Sequence, residues 1–153
     1  MIGMRIAGGI LAVAALAAAT ACSASEPTPA TAGTATTAPQ PPTGSLNLLL
    51  QQALPNVQGK TFTSAIVDFP PGARAAPHRH GQAFVYAYVL EGTVRSKLND
   101  QPVVTYHQGE NWVEQPGAHH VLTENTSQTD RARLLVVFVS NTGDNLKVDD
   151  PHR

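Results

Sequence analysis

From Lys60 to Ser140 the chain is a train of short runs rich in Val, Thr, Tyr and Phe, cut by Gly, Pro and Asn-Asp. No helix-length amphipathic stretch interrupts it, and that absence constrains the fold more than any other feature. Runs of this kind predict strands at Thr61–Phe69, Phe84–Leu90, Thr93–Leu98, Val103–His107, Trp112–Glu114, His120–Thr123 and Arg133–Ser140. Phe84–Leu90 is almost wholly apolar, so it reads as a buried strand. Pro70-Pro71-Gly72, Glu91-Gly92, Asn99-Asp100 and Pro116-Gly117 supply turns. Many short strands at this spacing predict an all-β sandwich or closed barrel.

The remainder of the 153 residues does not add a second core. Residues 1–21 read as a signal peptide: Arg5 precedes the 14-residue apolar run Ile6–Ala19, which is too short to span a bilayer. Ala19-Thr20-Ala21-Cys22 resembles a bacterial lipobox, with Ala19 where Leu is usual. Cys22 is the only cysteine, so it has no disulfide partner in the chain and is the expected lipidation site. Residues 22–44, rich in Thr, Ala and Pro, lack any aliphatic side chain larger than Ala and read as a disordered tether. Ser45 is placed to cap a short helix over Leu46–Ala53, stopped by Pro55. The folded domain is expected over residues 45–145, and residues 146–153 as a loose tail. A formal net charge of −1 gives no reason to expect nucleic acid. The expected location is exported, on the cell envelope through an N-terminal lipid.

Four of the six histidines form two tight pairs, His78/His80 and His119/His120. In an extended chain residues i and i+2 face the same side, so His78 and His80 can share one metal ion. Either His119 or His120, following a Pro-Gly turn, can bring a third imidazole from another strand. Imidazole suits Fe, Zn, Cu, Ni and, less strongly, Mn. His107, beside a turn, and His152, in the tail, are unpaired and expected in solvent. Arg74 and Arg79, flanking the first pair, are expected in solvent too.

The stretch Gly72–Gly92, GARAAPHRHGQAFVYAYVLEG, resembles the first motif of the cupin superfamily. The stretch Gly109–Asn125, GENWVEQPGAHHVLTEN, resembles the second, with Gly109, Gly117 and His120 at motif positions. The resemblance spans roughly residues 60–140 and implies a single double-stranded β-helix (jelly-roll) barrel. It selects His120 over His119, giving His78, His80 and His120 as the ligands of a divalent ion (Fe, Mn, Zn, Ni or Cu). Three positions depart from the pattern. Val85 stands where the family's carboxylate ligand is usual, Gln115 replaces a Pro, and Glu124 holds the place of Asn125. Gln82, Glu114 and His119 are further candidates, as added ligands or as hydrogen-bond partners of the ligands. Strand alternation then points Val85, Ala87 and Val89 into a small apolar pocket, and Tyr86 and Tyr88 outward, where a homodimer contact is one use. Trp112 is expected in the core or at the pocket rim. Two functions follow: a metal-dependent enzyme of the non-heme-iron dioxygenase kind, or a non-catalytic module that binds a small molecule at the envelope. With no carboxylate at position 85, no general base is foreseen.

Overall fold

The structure, a computed structural model, describes residues 40–151. The expected signal peptide, Cys22, most of the tether and His152 lie outside them. All regular structure among the described residues is β. The strands are β1 (Ser45–Ala53), β2 (Lys60–Phe69), β3 (Arg74–Ala75), β4 (His78–Arg79), β5 (Phe84–Glu91), β6 (Thr93–Leu98), β7 (Val104–His107), β8 (Asn111–Glu114), β9 (His119–Glu124), β10 (Ala132–Asn141) and β11 (Val148–Asp149). They pair antiparallel in two sheets. The first runs β1-β2-β10-β5-β8; the second runs β11-β4-β9-β6-β7, with β3 also on β9. This is the double-stranded β-helix expected from the sequence, and seven strands fall where the periodicity put them.

Alternation explains the packing. Burial alternates strictly along β10, and along β5 as far as Val89, so one face of each strand enters the core. Val85, Ala87, Val89, Val94, Leu134 and Phe138 form its centre, with Phe69 and Trp112 beside them. Gly92 turns β5 into β6 at φ 74°, and a Cβ there would lie 2.6 Å from the Arg131 carbonyl oxygen. Only glycine meets both conditions, so this turn fixes how the two sheets join. Asn125 is buried, and its amide donates to the carbonyls of Phe69 (3.1 Å), Pro70 (3.1 Å) and Asp130 (2.7 Å), closing the loop after β9.

Two expectations are corrected. Leu46–Ala53 is a strand, not a helix: β1 pairs along β2 from Ser45↔Asp68 to Ala53↔Thr61. A helix of that length cannot recover its nucleation cost alone, whereas the free edge of β2 offers ready-made hydrogen bonds. The C-terminal segment is not loose through residue 150. β11 pairs with β4 (Val148↔Arg79, Asp149↔His78), Leu146 packs on the core, and the Asp150 N–H donates to the Pro77 carbonyl at 2.9 Å. The last residues of the tether are held as well, since the Pro42 carbonyl accepts from the Arg74 N–H at 2.9 Å.

Candidate metal centre

His78 opens β4 directly opposite His120 of β9. His80 follows β4 on the same side as His78. The ring centroids of His78 and His80 are 4.7 Å apart, and those of His78 and His120 are 5.0 Å apart. One ring nitrogen from each of the three residues lies within 4.8 Å of the others, and all three side chains are buried or nearly so. This cluster could hold a metal ion.

The hydrogen bonds fix which nitrogens face inward. His78 Nδ1 lies 2.7 Å from the Ala76 carbonyl, and His80 Nδ1 bonds the Leu146 carbonyl. A carbonyl only accepts, so both Nδ1 atoms carry the proton and both Nε2 atoms are bare in the neutral rings. Those two bare nitrogens stand 3.2 Å apart. Burial, with the neighbouring imidazoles adding to it and the Ala76 carbonyl opposing, lowers the His78 pKa to about 4. Burial likewise lowers that of His80, against the pull of the Leu146 carbonyl and Glu114. Near neutral pH no proton therefore separates the two lone pairs. A cation would relieve their repulsion: bonds of about 2.1 Å to nitrogens at this separation subtend roughly 100° at one ion.

His120 is held from behind. Its Nε2 lies 2.8 Å from Ser96 Oγ and 2.7 Å from Thr123 Oγ1. Its Nδ1 turns toward the cluster, 3.0 Å from Glu114 Oε1 but without an aligned hydrogen bond. Glu114 is 3% exposed, so its carboxylate is inside the barrel. Oε1 accepts from Trp112 Nε1 at 3.2 Å, while Oε2 has no hydrogen-bond partner and lies 3.7 Å from His80 Nε2. Burial raises the carboxyl pKa, but His120, His80 and the Trp112 N–H outweigh it and leave Glu114 below the usual carboxylate range. Two unpartnered buried polar atoms, Glu114 Oε2 and His120 Nδ1, thus flank the two facing nitrogens. Three imidazoles and a carboxylate converging in this way make a donor set that fits a divalent ion.

Beside the cluster lies a cavity of about 360 Å³. Phe69, Ala87, Leu134, Val136, Phe138 and Trp112 give it apolar walls; the three histidines, Glu114 and Thr123 are polar groups on its lining, joined by Thr43, Ser45, Lys147 and Asp149. Ala87 is among the residues that line it. Val85 and Val89 are fully buried in the core and do not reach its wall. His119 faces away from the cluster and bonds Asp150 at 2.8 Å. Gln82 is exposed in the turn after His80, outside the cluster. Arg74 pairs with buried Glu124, and Arg79 donates to the Gly117 carbonyl at 3.1 Å; both are exposed, as expected, and neither lines the cavity. His107 is exposed too, 3.2 Å from Thr93 Oγ1. Tyr86 and Tyr88 are half-buried on the outer side of β5. Ser96, Thr123 and the Leu146 carbonyl were not foreseen in the sequence, since they act on the histidines through pairings of distant strands.

Residues 65–138 match the cupin domain family. No curated protein matches the chain in sequence. Among solved structures it is similar to the cupin domain of Schizosaccharomyces pombe Cnp3, with 15% identity, TM-score 0.55 and 65% of this chain aligned to 62% of that one. It is also similar to a double-stranded β-helix protein of Klebsiella pneumoniae, with 15% identity, TM-score 0.56 and coverage of 75% and 90%. A recombinant oxalate oxidase solved with glycolate gives 22% identity, TM-score 0.57 and coverage of 72% and 56%. The chain thus spans less than two thirds of the Cnp3 and oxalate oxidase chains, and these identities speak to the fold alone.

Proposed function

We propose a function from the premise, supported by the family match and the shared fold, that this barrel is a cupin: His78, His80 and His120 bind one divalent ion, at which a small molecule in the adjoining cavity is transformed. The observation that carries this reading is the pair of bare Nε2 atoms at 3.2 Å, held face to face by backbone carbonyls. Nothing in a metal-free role requires two buried lone pairs to be aimed at each other. When bound, such an ion supplies Lewis acidity and a template for substrate, and a redox-active one extends this to dioxygen chemistry. The chain's own residues do the rest. Ala76 and Leu146 fix the histidine tautomers, and Ser96 and Thr123 orient His120. Phe69, Phe138 and their neighbours exclude water and favour a ligand with an apolar body. Glu114 answers the lack of a carboxylate at position 85, giving the site a buried group able to hold a negative charge or accept a proton. That carboxylate favours an enzyme of the oxidoreductase, dioxygenase-like kind over a passive binding module.

The test is dioxygen uptake by chain loaded with Fe(II), presented with small diketones and small aromatic ligands. Uptake that follows the ligand, and that vanishes in His80→Ala, is expected. A ligand that raises the melting temperature with no uptake would instead support the binding module. We further infer export and lipidation at Cys22, on the apolar run and the lipobox-like sequence before it. Cys22→Ser should then release the protein from membranes or leave it unprocessed, because two acyl chains at ~0.8 kcal/mol per buried CH₂ hold it there. Equal partitioning of both forms would contradict it.

A further inference from the structure

The position of Glu114 carries a conclusion that the three histidines alone do not. Val85 of β5 pairs directly with Glu114 of β8 on one side and with Phe138 of β10 on the other. All three side chains are buried, so they form one inward row across the first sheet. Phe138 and Glu114, the ends of that row, both line the cavity, and the Phe138 ring lies 5.2 Å from that of His80. Directly opposed residues of antiparallel strands have Cβ atoms about 5 Å apart, which a glutamate side chain can bridge. A carboxylate rooted at position 114 can therefore reach the space that one rooted at position 85 would reach.

Resting on the metal reading above, we propose that Glu114 is itself a ligand of the ion, so that the carboxylate has moved one strand sideways and the site is three imidazoles and one carboxylate. Three facts bear on it. Glu114 Oε2 is buried with no hydrogen-bond partner, although leaving such an atom bare is costly. It points at His80 Nε2 from 3.7 Å. Its partner oxygen Oε1 is steadied by the Trp112 N–H, which fixes the carboxylate plane while leaving Oε2 for the ion. The consequence is selectivity: an anionic oxygen lowers the net charge of the loaded site and favours harder ions such as Mn(II) over what three imidazoles alone would prefer.

The test is calorimetric titration of the untagged chain with Mn(II) and Zn(II), comparing wild type, Glu114→Gln, Glu114→Val and the swap Val85→Glu with Glu114→Val. Glu114→Gln keeps the size of the side chain and an acceptor for Trp112. As a lost ligand it should weaken Mn(II) binding by more than about 100-fold, beyond the roughly 10- to 100-fold that follows loss of a ligand's hydrogen-bond partner. Zn(II) should lose less. The swap should bind Mn(II) far more tightly than Glu114→Val alone, since the carboxylate returns from the facing strand. A smaller loss in Glu114→Gln, or a swap no tighter than Glu114→Val, overturns the proposal and leaves the three-histidine reading intact. No Mn(II) or Zn(II) binding by wild type overturns both. Should Glu114→Gln not fold, the infrared difference spectrum of the unmodified chain on adding Mn(II) decides: a shifted carboxylate stretch is expected, and its absence overturns the proposal.

Discussion

At the scale of single residues, the orientation of each imidazole is set by atoms outside the cluster. His78 and His80 are fixed by carbonyls, which cannot be mutated away, but His120 is fixed by two hydroxyls, which can. Replacing Ser96 by Ala and Thr123 by Val together should leave His120 Nε2 buried and bare, at a cost of about 1–3 kcal/mol in stability. Metal affinity should fall by roughly 10- to 100-fold, as is usual when a ligand loses its orienting partner. Denaturant titration and calorimetry check the two effects separately. Unchanged affinity in a folded double variant would mean that His120 is not a ligand. His78 and His80 were legible as a pair from His-x-His spacing alone, whereas the place after Pro116-Gly117 left His119 and His120 both open, and only the resemblance to the second cupin motif chose His120. Glu114 stood in the sequence only as a candidate, because its role depends on facing Val85 across two strands, a register that spacing within one strand does not reveal.

At the scale of elements, β9 shows where alternation fails as a guide. Counting by twos from His120 turns Leu122 and Glu124 inward. The pairing of β6 with β9 shifts register between Lys97 and Leu98, so that Lys97 faces Leu122 while Leu98 faces His120. This bulge inserts one residue and brings Thr123 round to the imidazole of His120. No propensity in the sequence marks it. The strands of the barrel were legible because their runs are β-rich and turn-bounded; β1 was not, since SLNLLLQQA carries a helical spacing of leucines that only the free edge of β2 overrides. β11 was not foreseen because two residues give no periodic signal, yet it ties the C-terminal segment to the strand bearing His78. Removing residues 146–153 takes away the Leu146 carbonyl, β11 and the Asp150 partner of His119. The barrel should stay folded, since the long pairings of β2, β5 and β10 are untouched, while metal affinity should fall by about tenfold or more. Far-ultraviolet circular dichroism and metal titration of the truncated chain check this, and full affinity without the segment would show that His80 needs no carbonyl to hold it.

At the scale of the whole molecule, the barrel keeps neutral imidazoles in a largely apolar interior, and that choice has a pH signature. Burial holds the His78 pKa at about 4 in the folded, metal-free protein, against 6.5 for an ordinary histidine, and moves His80 the same way. Between these values the unfolded chain binds protons that the folded chain refuses, so folding stability should fall as pH drops from about 6.5 towards 4 and be fully present above that range. The carboxyl of Glu114, held below its usual value, adds a loss in the same direction at still lower pH. Urea unfolding of metal-free protein at pH 7.5, 6 and 5 should show midpoints that decline in that order. A midpoint that rises on acidification would mean that these histidines gain, rather than lose, proton affinity on folding. The central claim is that the buried histidines form one metal site, and metal content tests it most directly. Untagged protein analysed by plasma emission spectroscopy should carry close to one divalent ion per chain. The ion should be lost in His78→Ala, His80→Ala and His120→Ala and retained in His119→Ala, whose side chain faces Asp150. Wild-type chain that stays metal-free after incubation with Fe(II), Mn(II) and Zn(II), or an ion that survives each of the three substitutions, would contradict the account.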